Sequence, residues 1–278
     1  MRITIAHSPD ADDAFLFAGL ALGRVQTEGL SFEHVLLDIE TLNREATKVR
    51  YDVTALSFHA LAHVFDRYAL LPWGASIGDN YGPVVVAKEP RPLAKLAGAR
   101  VAVPGERTTA ALLLRLAAPL SRPVVVPFQA IPAAVAKGEV DAGVVIHEAQ
   151  LTYRRDGLSK IEDLGEWWHR ETGGLPVPLG ANCVRRDLPL AVQARASAAL
   201  RDSIRWALSH RKEAVAHALA FARGVDEATA DRFIGMYVDD VSLARDARRR
   251  AAVEELWKRG ASIGAFAPVA WDVVEEGV

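Results

Sequence analysis

The stretch GVVIHEAQ, residues 143–150, runs from an apolar segment that reads as a buried strand straight into His147 and Glu148, where a helix is due to begin. An imidazole at a strand tip and a helix N-terminus is disfavoured in its charged form by the helix dipole. It is therefore held neutral and able to accept a proton near neutral pH. A structural or ligand-binding histidine fits the same residues. In RTTAALLL, residues 107–114, Thr108 or Thr109 stands where a helix needs an N-cap, and a hydroxyl beside unfilled N–H groups can seat an anion or simply cap. Ser57, closing VTALS, has the same pair of readings: a hydroxyl at a strand end, or another cap.

Other clusters carry less. HSPDADDAF brings His7, Asp10, Asp12 and Asp13 together, and carboxylates suit Mg²⁺ or Ca²⁺, but the calcium-loop spacing is missing. Acidic residues in a first helical turn are favourable without any metal, so capping outweighs coordination and no metal site is expected. His59 and His63 share a helix face at a spacing zinc can use, yet the chain offers no HExxH glutamate and no evident third ligand. There is no G-x-G-x-x-G and no P-loop, so nucleotide binding has no motif behind it. Cys183 is the one cysteine, which rules out an intramolecular disulfide and makes a buried structural thiol the expectation.

The elements that must position these groups alternate. Strands are expected at 2–8, 32–38, 52–57, 82–89, 99–105, 122–128 and 141–147, with helical runs such as IETLNREATKV, FHALAHVF, TTAALLLRLAA and IPAAVAKG after most of them. This rhythm predicts an α/β fold with parallel sheets covered on both faces. From Pro189 onward the pattern turns helical, with apolar residues at three- and four-residue spacing. VRYDVTALSFHA and AKGEVDAGVVIHEA share one plan, as do IAHSPDADDAF and VAVPGERTTAALL. The echo predicts two α/β lobes with a central cleft, where ligands meet strand C-termini and helix N-termini.

A net charge of −2 gives no electrostatic reason to expect a nucleic-acid partner, and the arginine-rich ARDARRR, residues 244–250, reads as an exposed helix face. The N-terminal apolar run is too short for a signal sequence and no stretch is suited to membrane insertion, so a cytoplasmic protein is expected. Oligomeric state is not legible.

In order along the chain, HSPDADDAFLF, DIETLN, VTALSFHA, DRYALLPWGASIGDNYGP, VPGERTTAALLL, GVVIHEAQLTY and LGEWW resemble the 1,4-dihydroxy-6-naphthoate synthase family of the futalosine route to menaquinone. The likeness spans residues 3–186. It implies a type II periplasmic-binding-protein-like fold with two inter-lobe crossings, near Lys88 and near Cys183–Arg186. The lobes would be 1–88 plus 184–278 and 89–183. It further implies a carbon–carbon lyase acting on a small carboxylate, cyclic dehypoxanthinyl futalosine, with His147 as base, and with Asn43, Ala55, Leu56, Ser57, Thr108 and Thr109 contacting substrate. Such an elimination needs no cofactor. Where the family commonly has Ser-Pro-Cys-Pro-Asn-Asp, this chain has Ser8-Pro9-Asp10-Ala11-Asp12-Asp13, which adds negative charge to that loop. The competing readings are a cytoplasmic small-anion-binding protein of the same fold without catalysis, and chorismate dehydratase of the same pathway.

Overall fold

A computed structural model describes residues 1–221, 226–243, 246–270 and 273. The chain divides into two compact units: Met1–Ser76 with Gly180–Asp246 and Val269–Val278, and Ile77–Leu179 with Ala247–Pro268.

The first unit opens with β1 (Arg2–His7), the short helices α1 (Ala11–Leu16) and α2 (Ala18–Ala21), β2 (Ser31–Leu36), α3 (Ile39–Ala46), β3 (Val53–Ser57), α4 (Phe58–His63) and β4 (Tyr68–Leu70). β5 (Ser76–Gly78) leads into the second unit, which holds β6 (Val84–Ala87), β7 (Arg100–Val103), α5 (Thr109–Ala117), β8 (Arg122–Val125), α6 (Ile131–Lys137), β9 (Ala142–Val145), α7 (Ala149–Thr152), β10 (Ser159–Asp163) and α8 (Leu164–Glu171). β11 (Val177–Arg185) returns the chain to the first unit, where α9 (Leu190–Ser209), α10 (Arg211–Leu219) and α11 (Glu227–Tyr237) follow; α12 (Ala247–Ser262) belongs to the second.

Both sheets are mixed rather than purely parallel. In the first, the order is β2-β1-β3-β11-β4; β1 pairs parallel with β2 and β3, while β11 runs antiparallel to β3 and β4. In the second, the order is β10-β6-β9-β7-β8; β7 pairs parallel with β8 and β9, while β6 runs antiparallel to β9 and β10. β3, which ends in Ser57, and β9, which precedes His147, each have one parallel and one antiparallel neighbour, while β7, which precedes Thr108, is parallel to both of its neighbours. Every residue of β3 and β9 is buried, as expected of strands covered on both faces. β8 is a sheet edge and carries Pro123, whose missing N–H is tolerated there.

Polar ties hold the registers. Asp52 Oδ2 accepts from the Thr4 N–H (2.8 Å) and hydroxyl (2.9 Å), and its Oδ1 accepts from Arg185 (3.2 Å), so one carboxylate joins residues of β1 and β11 to the start of β3. In the second unit Asp163 caps α8, accepting from the N–H groups of Gly165 (2.8 Å) and Glu166 (3.2 Å). The backbone there runs against Tyr81–Gly82: a Cβ on Gly165 would sit 2.0 Å from the Tyr81 carbonyl carbon, so only glycine fits. Among the described residues no helix is long and apolar enough to cross a membrane. Arg248 and Arg250 lie exposed on α12, and Ala244 and Arg245 of the same arginine-rich run fall outside the described residues.

Candidate active site

The predicted residues fall into two groups, one in each unit. In the first unit, Ala55, Leu56 and Ser57 form the C-terminal end of β3. The parallel pairing Ile5↔Val53 and Ala6↔Thr54 brings the end of β1, with His7 and Ser8, to the same sheet edge. Asn43, on α3, is buried at 1% exposure and grips Ser57 twice: its Oδ1 accepts the Ser57 N–H at 3.0 Å and its Nδ2 donates to Ser57 Oγ at 3.1 Å. Although Ser57 occupies the N-cap position of α4, its hydroxyl takes no capping hydrogen bond.

The loop after β1 is a hydrogen-bonded turn. Asp13 Oδ2 accepts the Ser8 N–H (3.0 Å), Asp10 accepts the Ser8 hydroxyl, and Asp12 Oδ2 accepts from Ser76 (3.3 Å). Asp12 and Asp13 occupy the first turn of α1, as the dipole argument expects, while Asp10 is the N-cap residue without a side-chain cap bond. His7 Nδ1 faces the Ser8 carbonyl at 2.9 Å and must carry the hydrogen; Nε2 is therefore an acceptor and takes the proton of His34 Nδ1 at 3.1 Å. Phe17 stacks on the imidazole at 4.3 Å. Burial holds the His7 ring neutral and lowers its pKa from 6.5 to about 3, with the Ser8 carbonyl opposing and His34 and His217 adding to the effect. Both ring nitrogens are thus occupied, and among the described residues no group of three or more His, Cys, Asp or Glu is placed to hold a metal ion.

In the second unit, Thr108 caps α5 through a bond from the Ala111 N–H to its Oγ1 (3.2 Å), and its own hydroxyl donates to the Gly105 carbonyl (2.9 Å). Thr109 donates to the Leu179 carbonyl at 2.7 Å. Each hydroxyl has one hydrogen, and in both cases it is committed to the protein. The N–H of Thr108 also bonds the Gly105 carbonyl (3.4 Å), so what the helix start offers an anion is the positive end of its dipole.

His147 follows β9, which pairs parallel with β7, the strand before Thr108, so both groups leave the same end of one sheet. His147 is half-buried with φ at +55°, in the left-handed region that costs an L-residue roughly 1–2 kcal/mol. The helix beyond it, α7, is a single four-residue turn whose Gln150 N–H bonds the His147 carbonyl at 3.0 Å. That turn supplies less dipole than a longer helix would. Phe128 packs against the imidazole, ring centroids 4.9 Å apart and planes inclined by 66°. Neither the backbone conformation nor this aromatic neighbour has a local sequence signal, because Phe128 lies a strand and a helix upstream.

His59 is buried and His63 exposed, their rings 5.4 Å apart on α4. Cys183 is fully buried in β11, and burial raises its thiol pKa well above the ordinary range, as expected of a structural residue.

Comparison with known proteins extends this picture. A family model described as menaquinone biosynthesis matches residues 3–262. A 1,4-dihydroxy-6-naphthoate synthase from Thermus thermophilus is 41% identical over 266 residues, 96% of each chain. The crystal structure of a protein from Archaeoglobus fulgidus superimposes with a TM-score of 0.90 at 47% identity, over 95% of this chain and 98% of that one. The periplasmic aliphatic sulphonate binding protein of Escherichia coli aligns with a TM-score of 0.68 at 13% identity, over 100% of this chain and 94% of that one. At that identity the likeness concerns the fold alone, a two-lobed α/β fold of the periplasmic-binding-protein type.

Proposed function

This chain belongs to the menaquinone biosynthesis family, and from that premise we propose that it is a 1,4-dihydroxy-6-naphthoate synthase, a cofactor-independent carbon–carbon lyase. Its substrate is cyclic dehypoxanthinyl futalosine, a small carboxylate, and the reaction is placed in the cytoplasm. Neutral His147 removes a proton from the ribose-derived part of the substrate, and the resulting electron pair drives carbon–carbon cleavage and aromatisation. Ala55, Leu56 and Ser57 contact the substrate, with Ser57 contributing a hydroxyl. Thr108 and Thr109 contact the substrate at the start of α5, where the positive end of the helix dipole favours its anionic group.

The observation that carries this reading is the conformation of His147. With φ at +55° just beyond β9, His147 is one of four described non-glycine residues in the left-handed region, and the one among them at a predicted site position; such strain clusters at functional sites. The 41% identity to a named synthase over 96% of the chain supports the reaction. The test is incubation of purified protein with cyclic dehypoxanthinyl futalosine, read by mass spectrometry. Formation of dihydroxynaphthoate by the wild type and its loss in His147→Asn are expected. Substrate that binds and is recovered unchanged would overturn the reading in favour of a non-catalytic binder.

A further inference from the structure

The two bonds between Asn43 and Ser57 fix more than a position. The Ser57 N–H can only donate, so the Asn43 amide atom 3.0 Å from it must be the oxygen. The other amide atom is then the nitrogen, which can only donate, and the Ser57 Oγ lying 3.1 Å from it must accept. The orientation of an amide is ordinarily ambiguous; here a backbone donor settles it. With Oγ accepting from Asn43, the Ser57 hydroxyl hydrogen has to point elsewhere. No protein acceptor receives it among the described residues, and the hydroxyl is not engaged in capping α4. Ser57 is only 4% exposed, and a buried hydroxyl hydrogen requires an acceptor.

We infer that Asn43 is a positioning residue that makes the Ser57 hydroxyl a one-way hydrogen-bond donor, selecting a ligand that presents a carboxylate or carbonyl oxygen at the end of β3. The inference rests on the functional reading above, because it names the feature of the substrate that Ser57 receives. It also reassigns Asn43: the residue acts through Ser57 rather than on the substrate. The neighbouring positions Ala55 and Leu56 offer no side-chain donor, so the polarity of this strand end is set by one hydroxyl.

The discriminating substitution is Asn43→Asp, which is nearly isosteric. One carboxylate oxygen keeps the bond from the Ser57 N–H, and the other becomes an acceptor where a donor stood, turning the hydroxyl hydrogen inward. At pH 8.5, KM for cyclic dehypoxanthinyl futalosine is expected to rise about 10- to 100-fold, the range for one hydrogen bond to a charged oxygen, while kcat changes less than about threefold. Ser57→Ala should raise KM similarly, and adding Asn43→Asp to Ser57→Ala should have little further effect. Equal KM increases with and without the Ser57 hydroxyl would overturn the inference, since Asn43→Asp would then act through charge or folding. An unchanged KM in Asn43→Asp would overturn it as well. If wild-type protein turns over no substrate, the functional reading fails. The hydroxyl is then read by neutron diffraction from perdeuterated wild-type protein. A deuteron directed away from Asn43 sustains the donor assignment, and one directed at Asn43 ends it.

Discussion

Replacing His147 separates its catalytic role from its place in the fold, because its backbone strain and its chemistry respond differently to different side chains. At φ +55° the histidine gives up roughly 1–2 kcal/mol relative to an ordinary conformation. The short amide of asparagine can hydrogen-bond its own backbone in this region, so His147→Asn relieves part of the strain. Against this stands the loss of the edge contact with Phe128, about 0.5–1.5 kcal/mol. The two nearly cancel, and stability should stay within about 1 kcal/mol of wild type. His147→Gly relieves all the strain but adds about 0.4–1 kcal/mol of unfolded-state entropy, with the same net result. His147→Ala keeps the strain and loses the contact, so it should be the least stable of the three. Removing a general base lowers turnover by about 10²- to 10⁴-fold whichever residue replaces it.

The assay pairs urea denaturation with single-turnover rates for all three variants. If His147 is the base, the activities collapse together while the stabilities differ. If the histidine is structural, activity follows stability and His147→Asn keeps most of its turnover. A His147→Asn protein within tenfold of the wild-type rate would refute the assignment.

Two further outcomes follow from the packing. His7 is neutral in the folded protein down to about pH 3 but titrates near 6.5 when unfolded, so its depressed pKa supports the fold above pH 6.5 and that support is lost as pH falls from 6.5 towards 3. By pH 5 the loss is roughly 2 kcal/mol, and wild type should lose that much more stability than His7→Gln between pH 7.5 and pH 5; parallel stability curves would contradict it. Gly165→Ala drives a Cβ to 2.1 Å from the Tyr81 carbonyl oxygen and should cost about 3 kcal/mol or more, whereas Gly157→Ala, with φ +73° and nothing within 4 Å, should cost only the conformational strain of about 1–2 kcal/mol. Thermal denaturation of the pair measures the difference, and equal losses would show that backbone contact at Gly165 is not what requires glycine.

The limits of the sequence reading follow from how far each feature reaches along the chain. The strand ending in Ser57 and those preceding Thr108 and His147 were legible because each is a local apolar run bounded by turn residues, and a buried strand needs little else. β11 was not legible: Pro178 and Gly180 lie inside it and read as punctuation, and its antiparallel pairing with β3 and β4 depends on a chain return after the whole of Ile77–Leu179 in the other unit. The residue types of the site were equally local, and their use was not. Thr108 and Thr109 suggested hydroxyls for an anion, but whether a hydroxyl is available depends on where its single hydrogen goes. The carbonyls of Gly105 and Leu179 take both, and Leu179 lies 70 residues from Thr109. Asn43 entered as a ligand contact only through the family resemblance of DIETLN. Only the packing of α3 beside β3 reveals that its amide faces a backbone N–H, and that one direction of donation decides the next bond and then the hydroxyl beyond it. Chemical type can be read residue by residue, whereas hydrogen-bond polarity is a property of the chain of partners. In this protein that chain begins at the N–H of Ser57.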